Sequence, residues 1–287
     1  MIHLIWIPIV GAISAAAGTI IQRKILRKRK IDIGLYQIAE FLAIVLVLLP
    51  FLWFFWKIGS EALTTINLGI FALVIIFSLI ANRFTYYSMK WEKVSNLEPA
   101  KVLEPLFTII LAIIFSFIID SALYERNLNI IIPAILSGVA LIFSHIKKHH
   151  LNFNKYFVAA IIGSLFFALE LVTSRLILDF YSPITFYFLR CLAILAISFV
   201  LFKPHLKLLS SKVRWEVLGV GFVWSLYRIM LYYGYLKLGV VHTTLIIMLG
   251  PIFIYIFASK FLKEKLEWRN IVAAGVIVLS ILYAILA

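Results

Sequence analysis

Residues Tyr232–Glu264 read YYGYLKLGVVHTTLIIMLGPIFIYIFASKFLKE. The stretch predicts the end of one apolar helix, a tight turn at Leu238-Gly239, a second apolar helix entered through Gly250-Pro251, and a charged exit. The first half holds a weaker copy. There Tyr86-Tyr87 precede Glu104-Pro105 by the interval that separates Tyr232-Tyr233 from Gly250-Pro251. A true repeat makes the chain two similar halves, 1–146 and 147–287, with any site between them.

Composition sets the class. Of 287 residues, 64% are hydrophobic and 14% charged, against about a quarter charged in soluble domains; mean hydropathy is +1.06. Apolar stretches recur from end to end, long enough to cross a hydrocarbon core of ~30 Å as helices. The lipid bilayer is therefore a partner. The net charge of +14 falls in short clusters between apolar stretches, which the positive-inside rule accounts for, so nucleic acid is not expected as a partner. The lone Cys191 cannot form an intrachain disulfide. No P-loop, metal or cofactor motif is present. Oligomeric state stays open, a monomer included.

Ten spans can be drawn, roughly 2–22, 34–56, 67–88, 97–119, 128–146, 156–178, 184–202, 216–236, 240–262 and 269–286. They are continuously apolar rather than alternating, which excludes a barrel and leaves helices. Lys and Arg cluster in alternate loops: Arg23–Lys30, Lys90–Lys101, Lys147–Lys155, Lys203–Arg214 and Lys260–Arg269. The opposite side holds only Lys57, Arg126, Arg175 and Lys237. The basic side is predicted cytoplasmic, with both termini outside, in a plasma or inner membrane.

Further matches keep their order along the halves. Arg23-Lys24-Ile25-Leu26 answers Arg175-Leu176-Ile177-Leu178, Phe41–Ile44 answers Cys191–Ile194, and Gly138-Val139 answers Gly275-Val276. Five spans per half is an odd number, so the second half is inverted relative to the first. The expected fold is an all-α membrane protein of ten transmembrane helices in two inverted five-helix repeats, a recurring transporter plan.

This pattern resembles the EamA branch of the drug/metabolite transporter superfamily. The likeness rests on the five-plus-five plan, the Tyr-rich third helix of each half, the Pro at the start of the fourth, and Phe261-Leu-Lys-Glu-Lys-Leu-Glu-Trp-Arg269 before the last. It implies ten helices and alternating-access transport of small metabolites. Members of the family often carry Arg in the second helix, where this chain has Glu40; the seventh does carry Arg190. Many members are also thought to keep their termini in the cytoplasm, against the charge count here.

Six ionisable residues lie well inside spans: Glu40, Arg83, Glu104, Glu170, Arg190 and Arg228. Each costs roughly 2.5–3.5 kcal/mol at a helix centre, so each is expected to face the bundle interior with a partner. Depth along the spans suggests the pairs Glu40–Arg83 and Glu170–Arg190, with Arg228 reached by Glu104. Arg228 is the first candidate for substrate contact, because Trp224, Arg228, Tyr232 and Tyr235 recur at helical spacing. A guanidinium beside aromatic rings holds a carboxylate or phosphate by its fork; the alternative is an aromatic packing stripe. Arg190 and Glu104 complete the binding candidates, and Glu40, Arg83 and Glu170 are candidates for ion pairing or coupling. Ala168–Thr173 is similar to the first-helix segment of the small multidrug resistance family, which implies proton or cation binding at Glu170. His242, with Thr243 and Thr244, opens the ninth span; lining of an outer vestibule is the functional option there, and a solvated helix end the default.

The reading is a secondary-active transporter, exporter or exchanger, of a small polar or amphipathic metabolite such as an amino acid or organic anion, not an enzyme. Proton coupling through Glu40 or Glu170 is one option. The alternatives are a multidrug or lipid-linked exporter, then an intramembrane enzyme, whose Ser–His, Asp-pair or His–Glu signatures are missing, or a membrane scaffold.

Overall fold

Short polar side chains set where several helices begin. Asp32 accepts from the Gly34 and Leu35 amides at 2.8 and 3.1 Å, and Asn154 accepts from Tyr156 and Phe157. Ser182 caps the Thr185 amide ahead of Pro183. Each satisfies N–H groups that a first helical turn leaves without partners. The computed structural model describes residues 4–28, 31–92, 97, 100–119, 123–124, 126–145, 154–203, 209–254, 256 and 268–286. Among these are ten α-helices: α1 (Trp6–Lys28), α2 (Ile33–Phe55), α3 (Thr65–Trp91), α4 (Leu103–Ile118), α5 (Leu128–His145), α6 (Lys155–Arg175), α7 (Pro183–Phe202), α8 (Ser211–Leu238), α9 (Val240–Ile247) and α10 (Trp268–Leu286).

Each expected span contains one of these helices. By length and composition α1, α2, α3, α6, α7 and α8 can cross a membrane; α4, α5, α10 and the segment Val240–Ile254 are shorter apolar helices. Lipid-type residues cover the outside, with Trp53, Phe54, Phe117, Val200 and Leu201 largely exposed. The charged exit at Lys260–Lys265, the loop cations Arg29, Lys30, Lys93, Lys147, Lys148 and Lys207, Pro99, Asp120, and His3, His149, His150 and His205 lie outside the described residues.

The main packing partners are α1 with α8, α3 with α6, α2 with α7 and with α8, α4 with α6, and α5 with α10. Glycines permit the closest approaches. A Cβ on Gly163 would stand 2.6 Å from Thr85 Oγ1 and 3.3 Å from the Ala81 carbonyl, and one on Gly18 would meet the Trp224 indole at 3.2 Å. The α8–α9 turn places Gly239 at φ 86°, a conformation that glycine alone adopts without strain.

At one end the two halves are laced together by the loops after α2 and α6. Gly59 N donates to Phe180 O at 2.7 Å and Ser182 N to Lys57 O at 3.2 Å, around an antiparallel bridge between Ile58 and Tyr181. Thr185 Oγ1 receives the Lys57 amide at 3.1 Å and donates to Phe55 O.

Candidate functional site

The site begins with two broken helices. α9 gives way to a turn at Met248-Leu249, just before Gly250-Pro251, and helix then resumes to Ile254. Pro251 has no N–H to offer the preceding turn, and the Met248 and Leu249 amides bond Thr244 O and Ile246 O at 3.1 and 3.0 Å. The first half repeats this: a helical turn at Ala100-Lys101 breaks at Val102, and α4 starts two residues before Pro105. Between the breaks lies a cavity of about 180 Å³, walled by Glu104, Pro105, Gly250 and Pro251 and by side chains of α1, α2, α3, α6, α7 and α8.

Three of the interior charges meet at one part of this cavity. Glu170, fully buried on α6, pairs through Oε1 with Arg190 Nη1 and accepts from Tyr232 OH at 2.8 Å. Arg190 Nη1 also donates to Tyr232 OH at 2.6 Å, and its guanidinium lies 4.8 Å over the Tyr187 ring. Arg228 Nη1 stands 3.0 Å from Glu170 Oε2, yet neither atom completes a hydrogen bond. Phe167 and Tyr227 flank Arg228 at 5.3 and 5.5 Å. Both arginines line the cavity and Glu170 sits behind them. One carboxylate thus holds two guanidinium groups, and Arg190 Nε and Arg228 Nη1 are buried without a completed hydrogen bond.

Glu40 lines another part of the same cavity. Gln22 donates to both its oxygens at 3.1 and 3.3 Å, and the Tyr36 and Tyr86 hydroxyls stand beside it. Those two rings pack edge to face at 5.3 Å and 85°. Among the described residues Glu40 has no cationic partner.

Five of the six interior charges therefore face inward, and the expected pair Glu170–Arg190 forms. The expected pair Glu40–Arg83 does not. Asn82 and Tyr86 turn to the cavity, and a helix rotates about 100° per residue, which carries Arg83 to the exposed side, 4.8 Å over the Phe202 ring. Arg228 pairs with Glu170 rather than with Glu104. Glu104 lines the cavity within electrostatic reach of Arg228, Lys101 and Glu170. The aromatic stripe also divides. Trp224 lines the cavity, Tyr232 braces Glu170 and Arg190 from behind, and Tyr235 OH turns to Thr244 Oγ1 at 3.4 Å. His242, Thr243 and Thr244 are buried and outside the cavity lining. Sequence reasoning passed over Gln22, Asn82, Phe167, Tyr187 and Tyr227. Asn82 was within reach of it, since the repeat that aligns Tyr86 with Tyr232 also aligns Asn82 with Arg228.

Residues 154–286 match the profile of the EamA-like transporter family. That segment is similar to the EamA-like transporters. Among curated proteins none matches the chain. Solved structures do: 28 chains match, and one crystal structure of another protein superposes with a TM-score of 0.67 over 99% of this chain and 96% of its own. Its identity is 14%, so the likeness is one of fold. The EamA-like segment supplies Arg190, Arg228 and Gly250-Pro251, with Glu170 behind the arginines; the first half supplies Gln22, Glu40, Asn82 and Glu104 to the same cavity.

Proposed function

We propose that the chain is a secondary-active transporter that moves a small polar metabolite with an anionic group through the cavity by alternating access. The observation that carries this is the pair of buried, incompletely bonded guanidinium groups lining a cavity between two broken helices. Irregular backbone at membrane depth is tolerated where it lines a cavity, and half-helix ends there face substrate groups. Buried donors without acceptors cost about 1–3 kcal/mol each, a cost that a carboxylate or phosphate in the cavity removes. All ten apolar helices then cross the membrane, with the basic side cytoplasmic.

The packing supports two inverted five-helix repeats. The contact of α1 with α8 is mirrored by α3 with α6, and the edge-to-face pair Tyr36–Tyr86 by Phe186–Tyr232 at 5.2 Å and 88°. Multidrug export has less support, since two guanidinium groups repel a lipophilic cation.

Thermal-shift screening of the purified protein, followed by uptake into proteoliposomes, tests the reading. Anionic or zwitterionic metabolites are expected to stabilise the wild type, with Arg228→Ala weakening their binding about tenfold or more, the worth of one charged hydrogen bond. Equal stabilisation of Arg228→Ala sinks the role of this cavity.

A further inference from the structure

Aligning Phe41–Ile44 with Cys191–Ile194 places Glu40 opposite Arg190. Both side chains line the cavity, each beside the tyrosine of its own half, Tyr86 for Glu40 and Tyr232 for Arg190. The same repeat places Asn82 opposite Arg228 and Glu104 opposite Gly250. The two halves therefore contribute matching positions of unlike charge. The first half presents the Glu40 and Glu104 carboxylates, the Gln22 and Asn82 amides and the Lys101 ammonium; the EamA-like half presents the Arg190 and Arg228 guanidinium groups.

Glu40 differs from Glu170 in what holds it. Glu170 is occupied by two arginines and a tyrosine hydroxyl. Glu40 is 3% exposed and accepts hydrogen bonds from Gln22, with the neutral Tyr36 and Tyr86 hydroxyls beside it and no cation paired to it among the described residues. The Tyr36 hydroxyl itself makes no hydrogen bond. A buried carboxylate with neutral neighbours is a strong site for a cation, because each charge compensates the desolvation of the other.

We propose that Glu40 binds the cationic group of a zwitterionic substrate, whose anionic group lies at Arg190 and Arg228. This rests on the transporter reading and narrows its substrate to molecules with both charges, an ammonium and a carboxylate on one small body. Phe41, Ile44 and Phe167 in the wall favour an apolar side group between them. The net charge of the occupied site stays balanced, so the substrate enters without importing an uncompensated charge into the membrane interior.

The test uses the purified full chain and three matched probe series built on glycine, leucine and phenylalanine. Each series has the free amino acid, its N-acetyl derivative lacking the cation, and its amide lacking the carboxylate. The wild type is expected to be stabilised by at least one free amino acid about tenfold more tightly than by either derivative. Glu40→Gln is expected to lose the preference over the N-acetyl form while binding that form as the wild type does, which also shows that the variant folds. Arg228→Ala is expected to lose the preference over the amide. A wild type that binds N-acetyl and free forms alike overturns the zwitterion and leaves the anion-transporter reading standing. So does Glu40→Gln that keeps full amino-acid binding but loses uptake driven by a pH gradient, since Glu40 then carries a proton. No stabilisation by any series overturns the proposal, and organic-anion uptake then decides the broader reading separately.

Discussion

Glu170→Leu is expected to destabilise the protein by about 3–5 kcal/mol, the usual cost of removing one partner from a buried ion pair. The cost is at the upper end because Glu170 serves two arginines at once and is itself fully buried. Its loss strands both guanidinium groups and the Tyr232 hydroxyl. The reading is the thermal midpoint in detergent, with recovery of folded protein as a second measure. Replacing the whole cluster by apolar groups separates charge from packing: Glu170→Leu with Arg190→Met and Arg228→Met is expected to regain much of the lost stability while binding no anion. A Glu170→Leu variant as stable as the wild type means that the arginines have another counter-ion, and the cluster described here is not what holds α6, α7 and α8 together.

The second large effect is steric. A Cβ on Gly221 would lie 2.8 Å from Ala43 Cβ and 2.9 Å from both Ala43 C and Ile44 N. The obstructing atoms are mostly backbone, so no side-chain rotation relieves them and α8 must move away from α2. Gly221→Ala is expected to cost about 1–3 kcal/mol, as overpacking of a close-packed interior does. Because Glu40 lies one turn from Ala43 on α2, the shift also reaches the cavity, and uptake is expected to fall with stability. Gly219→Ala on the same helix is the control. A Cβ there meets nothing within 4 Å, so stability is expected to hold or to rise by up to about 1 kcal/mol. Equal behaviour of the two variants contradicts the close crossing of α2 and α8.

How far the sequence reached follows from what kind of quantity was needed. Hydropathy is a running property of the chain, and it located a helix in every expected span. Gly239 and Gly250-Pro251 are local backbone restrictions, and the turn and the helix break stand there. Depth in the membrane is also a one-dimensional quantity, which is why five of the six charges singled out by it face inward. Pairing is not one-dimensional. It depends on the azimuth of each residue about its helix and on which helices touch. Arg83 has a suitable depth for Glu40 but points the wrong way, and Arg228 meets Glu170 because α8 and α6 flank the same cavity. Gln22 and Asn82 carried no charge to mark them in their helices, and Gly221 looked like any other glycine in an apolar run. The unlike pairing of Glu40 with Arg190 was present in the repeat register, but it acquires meaning only once both side chains are seen to line one space.

The central claim is that this space receives substrate from each side of the membrane in turn. Thr19 lines the cavity, and a cysteine there, in a Cys191→Ser background, reports its access to membrane-impermeant thiol reagents applied to either side of sealed vesicles. Ser211→Cys, at the start of α8, marks the face proposed to be cytoplasmic. The account predicts that Thr19→Cys reacts from both sides and is protected by bound substrate, while Ser211→Cys reacts from the cytoplasmic side alone. Reaction of Thr19→Cys from one side only, unchanged by any ligand that stabilises the protein, contradicts it.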